Sequence, residues 1–222
     1  MTHSTVGRPT DEELKEFSRR AGELRKAVDI LSTEIEAIYG MYMDSVRGWG
    51  LLQDSLSAAV QSSVDDGASL EVVLKHTMIH GEGRYEDGVA LHRSPIGERI
   101  AACSRGGFNE ATLSRLCLLA IYAHWEDPCR RSIADALGVE LEQVMSPLFG
   151  DIRIMRNAIV HTGGVMDQRA KGLAVLKWFQ PGERIVLTHA RFHELIQKIR
   201  EFPVGLHTPT YKPFPSLEVQ RG

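Results

Sequence analysis

This sequence has few cysteines, no long apolar run and no excess of basic charge. Each of these shortages excludes a class of protein. The 222-residue chain has three cysteines, an odd number without CxxC spacing, at Cys103, Cys117 and Cys129. They argue against a disulfide framework or a zinc cage and favour a reducing, cytoplasmic setting. No stretch approaches the roughly 18 apolar residues of a membrane helix, and residues 1–10 show no signal peptide, so we expect no membrane partner.

The third shortage is of basic charge: the formal net charge is -3 and the pI is near 6.3. No global positive field draws the chain onto nucleic acid, so any RNA-binding surface must be local. Apolar residues at 43% and charged residues at 25% are typical of a globular protein. We predict a disordered N-terminus over residues 1–10, a single helical domain over residues 11–205, and an extended tail over residues 206–222.

Apolar periodicity predicts a long first helix. Thr10 with Glu13 has the spacing of a capping box. Steps of three and four then place eight apolar residues in one stripe: Leu14, Phe17, Ala21, Leu24, Val28, Leu31, Ile35 and Ile38. The stripe favours a helical bundle over its alternative, a coiled-coil seam. Gly40 weakens the pattern, so we expect shorter separate helices over residues 51–64 and 69–80.

Glycine, proline and apolar runs predict the elements of the second half. Residues 81–107, rich in glycine, are expected to form a long loop. A nearly all-apolar helix should follow Asn109, and Ser146-Pro147 and Gly163-Gly164 should bound a helix that ends at His161. Residues 173–179 and 184–188 can pair as a small hairpin, before a last helix over residues 190–202. The predicted fold class is an all-α bundle with at most this one C-terminal β-hairpin.

One face of the helix that ends at His161 carries candidate chemistry. Asn157 and His161 lie one turn apart, opposite an apolar stripe, with Arg153 and Arg156 between the two faces. Free carbonyls at the helix end favour a protonated His161, and the guanidinium fork of Arg156 suits a phosphate. Cleavage of RNA needs proton transfer and charge stabilisation, which these two side chains can supply without metal.

The segment resembles the motif of HEPN domains. Its residues 156–164 read Arg-Asn-Ala-Ile-Val-His-Thr-Gly-Gly, an arginine followed by a polar residue and, shortly after, by a histidine at a helix end. Residues 122–126, Tyr-Ala-His-Trp-Glu, resemble the end of the helix that precedes the motif in several HEPN groups. The resemblance covers residues 109–165, the motif core, and elsewhere extends only to helical character.

The resemblance implies a helical bundle that forms a homodimer in which two motifs face one cleft. It also implies a metal-independent endoribonuclease of a toxin–antitoxin or phage-defence system, with RNA as substrate and an antitoxin or defence protein as a possible partner. Arg156 would stabilise the phosphate, His161 would act as acid or base, and Asn157 would orient or bind. No cofactor and no metal are implied.

Two features limit the resemblance. Arg184 and His189 have the same separation as Arg156 and His161, but we interpret residues 184–189 as strand and turn. Some HEPN toxins carry a tyrosine two residues after the histidine, which partner nucleotidyltransferases modify. Gly163 stands there in this chain, so the resemblance does not imply that mode of neutralisation.

Four further residues are candidate substrate-binding residues. Arg153 lies on the motif helix itself. Glu126 could pair with Arg156 or orient His161, or it could be an exposed carboxylate at a helix end. Arg130 and Arg131 could extend a phosphate-binding edge or form a solvated face.

Three alternatives remain open. The chain could be a non-catalytic HEPN-like module for dimerisation or regulation. Residues 133–144 resemble a helix-turn-helix, although Glu140 and Glu142 would meet phosphates badly. Two histidine pairs with helical spacing, His76 with His80 and His189 with His193, could share a metal but lack an obvious third ligand, and His124 is expected to be buried.

Overall fold

The chain is mainly helical, as predicted, with one small antiparallel sheet. A computed structural model describes residues 10–82 and 89–205, and the predictions for residues 1–9 and 206–222 lie outside this part. Its helices are α1 (Asp11–Asp65), α2 (Leu70–Lys75), α3 (Ile96–Cys103), α4 (Phe108–His124), α5 (Arg130–Leu137), α6 (Pro147–His161) and α7 (His189–Gly205). The strands are β1 (Thr77–Glu82) and β2 (Val89–Pro95). A π-helical turn, Trp125–Cys129, joins α4 to α5, and 3-10 turns occupy Leu141–Gln143 and Gln168–Gly172.

The chain divides into two compact units. Within the described residues, the first contains residues 10–38, 118–185 and 193–205, and the second contains residues 39–117 and 186–192. The whole predicted motif, with its preceding helix end, belongs to the first unit. The prediction of a single domain over residues 11–205 stays a prediction.

Helix α1 is much longer than predicted. The capping box is present: the Thr10 backbone N–H donates to the Glu13 carboxylate at 2.7 Å, and the Glu13 N–H donates to the Thr10 hydroxyl at 3.3 Å. Gly40 does not end the helix, and the predicted helix over residues 51–64 is its continuation. A glycine costs a helix only about 1 kcal/mol relative to alanine, and no proline follows until Pro95, so helical propagation continues.

The sheet lies where a loop was predicted. Strands β1 and β2 pair antiparallel, with Thr77 opposite Pro95 and His80 opposite His92. The predicted loop over residues 81–107 was therefore wrong for β2 and α3, and the predicted helix over residues 69–80 is helical only as α2. Alternating side chains on a short ribbon give a weaker sequence signal than the glycines that flank it.

The predicted C-terminal hairpin is absent from the described residues, which hold only one isolated bridge there, between Val165 and Arg184. Instead, the carboxylate of Asp151 accepts hydrogen bonds from the backbone N–H groups of Ala174, Val175 and Leu176, at 2.9, 2.7 and 2.7 Å. A carboxylate on α6 thus replaces the partner strand, because buried backbone donors need an acceptor of any kind.

The core of the first unit forms around the stripes of α1 and α6. Val28, Leu31 and Ile35 are buried on α1, which confirms that part of the predicted stripe, but Leu14 and Phe17 are at least half exposed. In the apolar stripe of α6, which lies opposite Asn157 and His161, Leu148, Ile152 and Met155 are buried and Ile159 is half-buried. The rings of Trp125 and Phe149 stack 4.2 Å apart with a 6° interplanar angle. This packing buries one face of α6 and leaves Arg153 and His161 exposed.

The helix-turn-helix interpretation fails at its second helix. Helix α5 ends at Gly138, whose φ is 65°. The second helix that this interpretation requires is only a 3-10 turn over Leu141–Gln143. A single short turn cannot serve as a recognition helix in a DNA groove.

Candidate functional site

Helix α6 has the predicted boundaries. The Ser146 hydroxyl accepts a hydrogen bond from the Phe149 N–H at 3.4 Å, and Pro147 occupies the first helical position. At the other end, Gly163 and Gly164 have φ values of 61° and 81°, and the Gly164 N–H donates to the Ala158 carbonyl. Left-handed residues end a helix in this way. The motif therefore occupies the last two turns of a helix that is capped at both ends.

Arg156 and Asn157 contact each other. The Arg156 guanidinium is half-buried and donates to the Asn157 side-chain oxygen at 2.9 Å. Its Cζ lies 6.0 Å from the centroid of the Tyr122 ring, at the limit of a cation–π contact. The neutral amide and the ring together orient the guanidinium without neutralising it.

His161 stands apart from this pair. It is exposed on the last residue of α6, and within residues 10–82 and 89–205 it has no hydrogen bond or ion pair. Residues five apart are about 140° apart around a helix, whereas Asn157 and His161 share a face. The structure therefore brings Asn157 close to Arg156 but leaves the imidazole free beyond them.

Glu126 does not meet either of its predicted partners. Its carboxylate oxygens accept from the Tyr122 hydroxyl at 2.9 Å and from Arg130 Nη1 at 2.8 Å. The pairing with Arg156 and the orientation of His161 are thus corrected to a Tyr122–Glu126–Arg130 network. Arg130 is held further by donation from Nε to the Val144 carbonyl at 2.9 Å. The i, i+4 spacing of these three residues was the sequence signal for this network.

Tyr122 is the site residue that the sequence prediction missed as a functional group. Burial, followed by its hydrogen bond to Glu126, raises the pKa of Tyr122 above its ordinary value. The phenol therefore stays protonated and remains a donor to Glu126 at neutral pH. Its ring meets Arg156 and its hydroxyl meets Glu126, so Tyr122 connects the motif to the network.

Arg153 and Arg131, the other two predicted arginines, differ in whether they have an ion-pair partner. Arg153 is exposed on α6, one turn before Asn157, and it has no hydrogen-bond or ion-pair partner in the described part of the chain. Arg131 pairs with Asp127 at 2.9 Å, and both side chains are largely exposed. An exposed pair of this kind fits the solvated-face interpretation of Arg131.

A cleft of about 280 Å³ lies beside the motif. Its walls come from the end of α4, the π-helical turn, the segment before α6 and the first turns of α6. Tyr122, Glu126, Arg130, Met145 and Arg153 all line it. Three of the four predicted substrate-binding residues therefore lie in one cleft, and Arg131 is not among them.

Of the two competing histidine pairs, His189 and His193 share a helix, α7, as predicted, whereas His76 and His80 do not. His76 caps α2 and His80 lies on β1, so the two do not share a helix. His80 instead packs against His92, with ring centroids 6.1 Å apart. His124 is not buried: its side chain is 37% exposed and lies 4.0 Å from Glu34. Among the residues that the structure describes, no three histidine, cysteine or acidic side chains are grouped to hold a metal ion.

The cysteines are buried and free, in agreement with the prediction of no disulfide framework. Burial raises the pKa of Cys117 to about 11 and that of Cys129 to about 12. Neither thiol is ionised at neutral pH, so neither is a ready nucleophile.

Comparison of the chain with protein-family models, with curated proteins and with solved structures gives no match in any of the three. No helix in the described part of the chain combines the length and the apolar character needed to cross a membrane. The motif residues and the geometry around them are therefore the basis for a proposed function.

Proposed function

We propose that this protein is a metal-independent endoribonuclease of the HEPN type, with its active site at the end of α6. The observation that supports this most is the state of Arg156. Its half-buried guanidinium contacts a neutral amide and, within the described residues, no carboxylate. A structural arginine in such a position is ordinarily ion-paired, because an unpaired buried charge is costly. An anionic substrate group is the natural partner for it.

The proposed reaction is transfer of an RNA phosphoryl group to its own ribose. The 2'-oxygen forms a bond to phosphorus while the bond from phosphorus to the 5'-oxygen breaks, which leaves a 2',3'-cyclic phosphate and a 5'-hydroxyl. One base takes the proton of the 2'-hydroxyl, and one acid gives a proton to the leaving oxygen. His161 supplies proton transfer, Arg156 stabilises the charge on the phosphoryl oxygens, and Asn157 orients Arg156.

A second copy of the chain completes the site in this proposal. One histidine cannot act as base and as acid on opposite sides of the phosphate in the same step. Two motifs that face one cleft, as the resemblance to HEPN domains implies, supply two imidazoles. The exposure of His161 at the helix end is compatible with such a shared cleft.

The alternative is a non-catalytic HEPN-like module for dimerisation or regulation. It is favoured by one observation, that Arg156 and His161 are about 140° apart around α6 and share no contact in the described residues. Under either proposal the setting is cytoplasmic, with an antitoxin or defence protein as partner. The two proposals differ in whether the isolated protein cuts RNA.

The decisive experiment is cleavage of total cellular RNA in EDTA by the purified full-length protein. We expect cutting by the wild type, with cyclic-phosphate ends, and a loss of about 100-fold or more in His161→Ala and in Arg156→Ala. The second arginine–histidine pair provides matched controls. Arg184→Ala and His189→Ala change the same residue types at the same separation and should cut like the wild type.

The outcomes separate the two proposals. If His161→Ala and Arg156→Ala cut as fast as the wild type, the site assignment is wrong. If the folded wild type cuts no RNA at all, the non-catalytic module is the better description.

A further inference from the structure

The cleft beside the motif offers more than a phosphate contact. The cleft opens next to α6, the helix that carries Arg156 and His161. Tyr122 lines the cleft, and its ring also lies near Arg156. At about 280 Å³ it lies just below the range of sites for drug-sized ligands. Such a volume suits one flat ring system better than an extended chain.

The charges of the lining favour an uncharged ligand. Arg130 and Arg153 contribute two positive charges, and Glu126 and Glu142 contribute two negative charges. A phosphate gains no net attraction from a lining with equal charges of both signs. A neutral group with its own donors and acceptors can instead match the two signs separately.

Glu126 supplies a preorganised acceptor. Each carboxylate oxygen accepts one hydrogen bond, from Tyr122 or from Arg130, and a carboxylate can accept about four. Its side chain is 41% exposed, so its remaining lone pairs are accessible from the cleft. Because both neighbours hold it in place, a ligand need not order this side chain on binding.

Arg153 and Met145 supply the other two contacts. Arg153 lines the cleft, and no group in the described residues takes up its five N–H donors. Met145 is 68% exposed at the same cleft and offers an apolar surface to the face of a ring. The cleft thus combines an acceptor pair, a donor fork and an apolar contact.

Guanine matches this set better than the other RNA bases. Its Watson–Crick edge has adjacent N1–H and N2–H donors for a carboxylate, and its other edge has the O6 and N7 acceptors that arginine contacts in pairs. Adenine and cytosine present a ring acceptor beside their amino group, and uracil presents one N–H between two carbonyls. Each of these would place a lone pair against the carboxylate of Glu126.

We propose that this cleft binds a guanine base of the RNA, with Glu126 on its Watson–Crick edge and Arg153 on its O6/N7 edge. Met145 contacts the ring face. This inference builds on the proposed RNA substrate and adds that cutting occurs beside a guanosine. The base would anchor the strand while the adjacent phosphate reaches Arg156.

The test is binding of the four ribonucleosides, which carry no phosphate, to full-length His161→Ala protein, followed by NMR chemical-shift titration. We expect guanosine to bind at least about tenfold more tightly than adenosine, cytidine or uridine. Arg153→Ala and Glu126→Gln should each remove about tenfold of that preference. Arg131→Ala, an exposed arginine outside the cleft, is the matched control and should leave it unchanged.

Three results would overturn the proposal: equal binding of all four nucleosides, no guanosine binding by the folded protein, or guanosine binding that both cleft variants retain. Arg153 is exposed, so its variant should fold even if Glu126→Gln does not. Mapping of RNA cut sites separates this proposal from the enzyme proposal. If cutting by the wild type shows no preference for guanosine, only the guanine site is wrong. If guanosine binds but the wild type cuts no RNA, the guanine site is supported and the enzyme proposal is contradicted.

Discussion

The two arginine–histidine segments of this chain have equal spacing and different structures. Residues 156–161 form the last turns of α6, inside one compact unit. Residues 184–188 were interpreted as strand, but only Arg184 makes a bridge, and His189 begins α7 in the other unit. Equal separation in sequence therefore does not make an equal site. A continuous helix fixes the directions of its side chains, and an irregular segment does not.

The four alanine variants of the cleavage assay test this contrast most strongly. A loss in His161→Ala and Arg156→Ala alone, by about 100-fold or more, would tie activity to the helical segment. Equal losses in Arg184→Ala and His189→Ala would break the contrast, because the irregular segment would then matter as much.

Asp151→Asn should produce the largest change in stability, because this carboxylate connects α6 to the irregular segment. Asp151 is only 2% exposed and accepts three backbone N–H groups. An asparagine offers one oxygen and turns an amino group towards these donors. We expect the free energy of unfolding, measured by urea denaturation, to fall by about 3 kcal/mol.

Asp135→Asn is the matched control, since Asp135 is an exposed aspartate on α5. Its effect should stay within about 0.5 kcal/mol. A loss of similar size in both variants would show that the Asp151 contacts do not hold the segment over residues 174–176.

The sequence correctly predicted the two ends of α6, which depend on interactions between residues close together in the chain. Ser146-Pro147 and Gly163-Gly164 act through neighbouring backbone atoms, so the limits of α6 follow from residues within one turn of each end. The contacts of Asp151 join residues more than twenty positions apart, and nothing in the local pattern announces them. The hairpin prediction failed for this reason. The pattern over residues 173–179 shows that the backbone needs hydrogen-bond partners, but it does not show which residues supply them.

In the candidate site, too, contacts between residues near in sequence are easier to predict than the packing of separate elements. Spacing along α6 grouped Asn157 with His161, whereas the structure pairs Asn157 with Arg156. The four-residue spacing of Tyr122, Glu126 and Arg130 could have predicted their network. The cleft itself depends on how the π-helical turn and α6 pack together, which periodicity does not encode. Whether these residues cut RNA stays a prediction.

We expect the helix caps of the two segments to differ less in their effect on stability than the two segments differ in their effect on RNA cleavage. Ser146 caps α6 and is buried, whereas Thr188 accepts from the Arg191 N–H at the start of α7 and is exposed. We expect Ser146→Ala to lower the free energy of unfolding by about 1 kcal/mol and Thr188→Ala by about half as much. Urea denaturation of both variants measures this. A larger loss in Thr188→Ala would mean that the second segment depends more on its cap.

The smallest expected effect concerns Tyr122, the aromatic neighbour of Arg156. Burial and the hydrogen bond to Glu126 raise its pKa, so the folded state favours the neutral phenol. Its contribution to stability is then complete below the unfolded pKa of about 10 and is lost as pH rises through the higher folded pKa.

The ultraviolet absorbance of tyrosinate, measured against pH in the wild type and in Tyr122→Phe, gives the titration of Tyr122 as a difference. The subtraction is needed because burial raises the pKa of Tyr42 as well, and Tyr42 also donates to a carboxylate, that of Glu110. We expect the difference curve to rise above the ordinary tyrosine range. A midpoint at or below about 10 would mean that Tyr122 does not donate to Glu126, and the network that orients this carboxylate towards the cleft would lose one of its two supports.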